Sequence, residues 1–267
     1  MLTRQSLTAA MVGEQKSDVS MRMRAMLIHL VGTAVIALLV FCLIRLLWYP
    51  DFYWRIAGGS DLFVLICVVD AVLGPVLTFA IFNPAKGLRR LRFDLIVILC
   101  LQLLALGYGL KTVAVARPLF LVYSVDRFNL VTASDVTEVE LQQAELPQFQ
   151  KLSWGKPRVI GTRAARTPDE KLQFIDSALS GRDRQLIPKT YIPFDRVRGE
   201  LRERSLSLAA LKEKGGREGK ALIDVEKKFE ANHPRRAYVP LIAMGDWVVL
   251  VDVDSGELLE VLAINAL

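Results

Sequence analysis

The sequence predicts an α+β protein in two parts: three transmembrane helices followed by a small α+β extracytoplasmic domain. Three observations lead there. Mean hydropathy is +0.34, with 52% hydrophobic residues, which is too apolar for an ordinary soluble domain. The excess is concentrated between Ala25 and Val115, whereas the chain from about Arg117 onward has the composition of a soluble domain large enough to bury its own core. The positive charge is equally uneven, with 11 Lys and Arg against 6 Asp and Glu in the first 116 residues and near balance after them. These basic residues flank apolar segments, so they signal membrane topology and not nucleic-acid binding.

Residues 1–20 are polar and weakly periodic and are expected to form a disordered cytoplasmic tail; Met21 is an alternative start. The membrane domain is expected over 21–116. Its spans run from Ala25 to Leu47, from Leu62 to Phe82 and from Phe93 to about Val115, each near the 20 residues a bilayer requires. The first is too long for the apolar core of a signal peptide and lacks a small-residue cleavage site, so it is read as retained. Arg45 and Lys111 lie near span ends, where long side chains reach the headgroups, and Asp94 opens the third span. Arg22 and Arg24 before the first span, and Lys86, Arg89, Arg90 and Arg92 between the second and third, place those segments in the cytoplasm. The loop over 48–61, with Trp48, Tyr49, Phe52, Tyr53 and Trp54, is expected as an aromatic belt at the outer interface. All three cysteines, Cys42, Cys67 and Cys100, lie within spans and offer no disulfide framework.

Asp70 is the sharpest feature of the spans, because an ionisable group so deep in an apolar run needs a partner. That partner is either a helix of another protein or a polar group of the same bundle, Gln102 or Tyr108 on the third span. Gly74-Pro75 follows. Proline removes a helical hydrogen bond and glycine permits close approach, giving either a groove for a partner helix or an internal packing kink. Asn83-Pro84 marks a helix end.

The stretch Val69-Asp70-Ala71-Val72-Leu73-Gly74-Pro75-Val76-Leu77-Thr78, then Phe82-Asn83-Pro84, then Gln102 and Tyr108, then Val125-Asp126-Arg127-Phe128 after the third span, forms a distinctive series. In this order it resembles the TfpX/TfpZ family of type IV pilin accessory proteins, over about residues 21–135. The resemblance implies a bacterial inner-membrane protein that serves a cognate major pilin, promoting its stability, assembly and surface display as a chaperone-like factor and not as an enzyme. It makes the lipid bilayer and other pilus assembly components further partners. On the same resemblance Asp126 and Arg127 become a place where the outer domain meets its client; without it they are a surface ion pair.

The outer domain, 117–267, is expected to be periplasmic. Its pattern predicts a strand over 119–131, a helix over 134–146, a strand over 157–162, helices over 168–180, 195–214 and 218–232, and strands over 237–243, 246–253 and 257–264. Thr167-Pro168-Asp169-Glu170 has the cap, proline and acids of a helix start. Asp254-Ser255-Gly256-Glu257 is a hairpin turn. No catalytic residue, cofactor site or metal site is predicted. His29 lies inside the first span, His233 follows a helix, and Asp252-Val253-Asp254 reads as a strand end. A different reading of the same architecture is a membrane-anchored sensor whose periplasmic domain binds a ligand, although the cytoplasmic segments are too small for a signalling domain.

Overall fold

The computed structural model describes residues 4–82, 87–207, 210–211, 224–225, 227–230 and 232–264, with side chains from 19 onward except at 62, 65, 69–71, 73 and 88. Two compact units emerge. One comprises Met1–Leu43 with Ser60–Val113, the other Ile44–Gly59 with Ala114–Leu267.

The first unit is helical. Helix α1 runs Arg4–Leu43, and a later helix, α3, runs Gly59–Ile81 straight through Pro75. Helix α4 runs Leu88–Ala116. Because α1 begins at Arg4, residues 4–20, expected as a disordered tail, continue the helix; they include the good helix formers Ala9, Ala10, Glu14 and Lys16. Three membrane spans were expected, and two helical segments among the described residues are long and apolar enough to cross a bilayer: Val19–Trp48 and Arg89–Ala116. Helix α3 has the length for a crossing, its 23 residues reaching about 35 Å, but its described apolar stretch is only Gly59–Val68. Leu39, Phe93 and Leu104 stand exposed along the two long segments, apolar side chains that water does not favour. Inside the unit, Phe41 and Phe63 pack with ring centroids 5.1 Å apart. Helix α4 also meets α3 closely, since a Cβ on Gly109 would lie 2.8 Å from Ile66 Cγ1.

The second unit holds a seven-stranded mixed sheet. Its strands are β1 (Pro118–Ser124), β2 (Arg127–Thr132), β3 (Arg158–Thr162), β4 (Tyr191–Pro193), β5 (Arg236–Ala243), β6 (Gly245–Asp252) and β7 (Leu258–Leu262), in the order β4-β3-β1-β2-β5-β6-β7. Strands β1 and β3, and β2 and β5, are parallel; the other pairs are antiparallel. The run Leu119-Phe120-Leu121-Val122-Tyr123 is buried throughout, as expected of a central strand covered on both faces. Its alternate side chains enter two cores. Leu121 and Tyr123 join Phe128, Leu201, Val239 and Val249, while Phe120 and Val122 join Leu141, Phe149, Ile160 and Tyr191.

Residues 44–59 belong to this unit. A π-helical turn, Ile44–Trp48, ends the first long helix, and a short helix, α2 (Tyr53–Ile56), follows. Tyr53 and Ile56 are part of the core on the Leu121 side, and Tyr49 is fully buried. Of the expected aromatic belt, Trp48, Tyr49 and Tyr53 are therefore buried, and Tyr53, with Phe52 packed beside it, removes apolar surface from water within the sheet's core.

Elsewhere β4 is a strand where none was expected, and three expected elements of the sheet unit differ. The strand over 119–131 is a hairpin, broken by a two-residue turn at Val125-Asp126. The helix over 134–146 is only α5 (Glu138–Leu141), because its N-cap is Thr137, in a capping box with Glu140. Of the helix expected over 195–214, the described residues show a 3-10 turn, Phe194–Val197, and α7 (Arg198–Arg204); Ser205 then turns extended, so that Leu206 pairs with Tyr238, 210–211 are helical again, and 208–209 and 212–214 lie outside the described residues. Helix α6 (Pro168–Leu179) is as expected, with Thr167 accepting the Glu170 N–H. Much of 218–232 lies outside the described residues, although 224–225 and 227–229 are helical.

Candidate functional site

The helical unit brings three polar side chains together in apolar surroundings. His29 on α1 lies between Thr78 on α3 and Gln102 on α4, with Nδ1 2.5 Å from Thr78 Oγ1 and Nε2 2.7 Å from Gln102 Oε1. A neutral imidazole satisfies both contacts: Nε2–H donates to the amide oxygen and Nδ1 accepts from the hydroxyl. Thr78 is buried, and His29 and Gln102 are half-buried. Close passage of the α3 backbone makes this possible, because a Cβ on Gly74 would overlap the Gln102 amide. Pro75 is buried next to it, one turn before Thr78. Beside the cluster is a cavity of about 200 Å³, lined by His29, Thr33 and Gln102 and otherwise mainly by apolar side chains, Ile36, Phe63 and Leu103 among them.

Of the residues singled out from sequence, Gly74, Pro75 and Gln102 thus fall in or beside one cluster. Tyr108 does not. It is exposed, and its carbonyl accepts the Thr112 hydroxyl 3.0 Å away. The backbone of Asp70 is in α3, but its side chain lies outside the described residues. His29 is the residue that sequence reasoning passed over. The available signal was a histidine within an apolar span whose expected neighbours include polar residues.

In the sheet unit, Asp126 and Arg127 follow an unusual turn. Val125 has φ 64° and the Asp126 N–H bonds back to the Ser124 carbonyl at 2.9 Å, the pattern of a γ-turn with a β-branched residue at positive φ. Such a conformation is costly, and costs of this kind gather at functional positions. Asp126 Oδ1 accepts from Arg127 Nε at 2.8 Å and Oδ2 from Nη2 at 3.3 Å. Arg127's hydrogen bond holds the Asp126 carboxyl below the usual carboxylate range, and the same bond raises the guanidinium. Both side chains are partly exposed, so the pair is worth little for stability. They line a groove of about 920 Å³ with Asn129, Lys171, Arg184 and the apolar Phe174, Ile175 and Ile242.

The strand-end reading of Asp252-Val253-Asp254 matches the geometry. Asp252 Oδ1 accepts the N–H groups of Asp254 and Ser255, both at 2.9 Å, and Oδ2 lies 2.8 Å from His233 Nδ1. The Ser255 bond first, then His233, holds its carboxyl at about 2. This is a braced turn. Among the described residues no group of three or more His, Cys, Asp or Glu could hold a metal ion.

Long apolar helices, with a polar cluster between them, thus continue in sequence into a mixed α+β sheet unit. The family model of the fimbrial assembly protein FimB matches residues 17–58. The fimbrial assembly proteins of Dichelobacter nodosus serogroups E1 and I are each 28% identical over 231 residues, covering 84% of this chain and 88% of the relative. That of serogroups C1 and C2 is 37% identical over 117 residues, 44% of this chain and 89% of the relative. The chain belongs to the fimbrial assembly protein FimB family. No solved structure matches it.

Proposed function

We propose that this protein is a membrane-anchored accessory factor in the assembly of type IV fimbriae. In this reading it binds a cognate major pilin, in a chaperone-like way, and promotes its stability, assembly and surface display; it is a binding protein and not an enzyme. The N-terminus and the loop over 83–92 face the cytoplasm, α3 makes the third crossing, and the sheet unit is periplasmic. The family to which the chain belongs supports the process. The observation that carries the mechanism is the His29–Thr78–Gln102 cluster beside a cavity between apolar helices. In hydrocarbon, polar side chains give helix contacts that are specific yet weak, about 0.6 kcal/mol each on average, so a client helix can be held and released. The groove at Asp126 and Arg127 offers a mixed surface for the client's soluble part.

The test is crosslinking in intact membranes, followed by purification of the full chain and detection of the major pilin. Recovery of pilin, reduced by Gln102→Leu and by a paired Asp126→Ala, Arg127→Ala variant, is the expected result. Absence of pilin from the eluate of a strain that expresses it overturns the reading.

A further inference from the structure

We propose that the loop over 151–156 of the sheet unit rests on the membrane surface, with the Trp154 indole among anionic phospholipid headgroups and Lys151 and Lys156 on either side. The argument begins where the two long apolar segments end. One ends at Trp48 and the other at Ala116, and the end of a span marks the level of the headgroups. The loop is fastened to both ends. Trp48 Nε1 donates to the Trp154 carbonyl at 3.2 Å, and Arg117 donates through Nε at 3.3 Å and Nη2 at 3.2 Å to the Ser153 carbonyl. Arg117 also donates to the carbonyl of Ala114, in the last turn of α4. The loop is thereby held at headgroup depth by its own backbone.

Its side chains suit that place. The fastening uses the main-chain carbonyls of Ser153 and Trp154, which leaves the indole 62% exposed with one face covered by the Arg117 guanidinium, 4.2 Å from the ring centre. An exposed tryptophan is unfavourable in water, whereas its amphipathic ring is at home at the membrane interface. Lys151 and Lys156 are exposed and make no ion pair with an acidic side chain among the described residues, so their charge is available to lipid phosphate. A second tip lies at a third helix terminus. Exposed Met244, between β5 and β6, donates its N–H to the carbonyl of Ile56 at 3.0 Å, three residues before α3 begins.

This inference rests on the reading that the two segments cross a bilayer. The experiment places the full chain in nanodiscs of phosphatidylcholine alone or with phosphatidylglycerol, brominated in the acyl chains or not, and records tryptophan emission. Brominated phosphatidylglycerol is expected to quench a component that Trp154→Phe removes and that a Lys151→Glu, Lys156→Glu pair reduces to the level in phosphatidylcholine. Equal bromine-sensitive emission in the parent and Trp154→Phe overturns the proposal. Quenching that ignores the anionic lipid overturns its headgroup preference. Release of the chain from native membranes by alkaline carbonate would instead overturn the membrane crossing itself. A retained chain with unquenched Trp154 fails this inference alone.

Discussion

The Gln102 carboxamide occupies the space that any side chain at Gly74 would need, and a Cβ there would also lie 3.1 Å from His29 Nε2. Gly74→Ala must push the amide away from the imidazole and leave a donor unpaired among apolar side chains. The expected cost is about 1–3 kcal/mol, combining overpacking with a lost hydrogen bond. It is read as a lower Tm of the purified full chain in detergent. An unchanged Tm would show that the amide has room to move.

The three-helix cluster also makes a quantitative prediction. A double-mutant cycle between His29→Leu and Gln102→Leu should give a coupling near 0.6 kcal/mol and no more than about 1.7 kcal/mol, the range of hydrogen bonds between membrane helices. Thr78→Val with His29→Leu should behave alike. Zero coupling in both cycles would mean that the contacts contribute nothing to the packing of the unit.

Val125 carries a conformation that glycine adopts freely. Val125→Gly is expected to stabilise the sheet unit by about 1 kcal/mol, the order of cost of a left-handed residue with a side chain. The Tm of the corresponding transition should rise by about 2–4 °C. If the valine side chain contacts the client, pilin recovery in the crosslinking experiment falls while Tm rises, a combination that simple destabilisation cannot produce.

Asp252 sets an acid limit. Its carboxyl is held at about 2 in the folded chain, below the roughly 3.9 of an unfolded aspartate. A depressed folded value stabilises the protein above pH ~4, and that contribution is lost as pH falls toward 2. Asp252→Asn keeps an acceptor for the Asp254 and Ser255 N–H groups but cannot ionise. Its stability, followed by circular dichroism, should therefore fall less steeply between pH 4 and pH 2 than that of the parent. An identical slope would assign the acid sensitivity to other carboxylates.

What could be read from sequence was whatever a local pattern determines. The long apolar runs, the Thr167-Pro168 helix start, the turn after Asp252 and the strands near the C-terminus each follow from side chains within a few residues of one another. Long-range contacts were not legible. Tyr191–Pro193 is a strand only because β3 lies alongside; on its own it is three residues, the last of them a proline. Tyr53 looks like an interfacial aromatic until a sheet built from residues far downstream is there to bury it. His29 gains its meaning from partners 49 and 73 residues away. At the Asp126-Arg127 turn the residues were evident, but the positive φ of Val125 was not, since β-branched residues ordinarily avoid it.

The contribution of Ile44–Gly59 to the sheet unit bears on the order of events during synthesis. Tyr53 and Ile56 are made early, between α1 and α3, yet the strands that cover them come from as far along as Val249 and Val261. The unit cannot close until almost the whole chain has left the ribosome and the helices on both sides of residues 44–59 have been placed. A fragment beginning at Pro118 would lack part of its own interior and would present a bare apolar face. Dividing this protein after α4 therefore divides a folding unit, and studies of the sheet region need the early segment kept in place or joined back on.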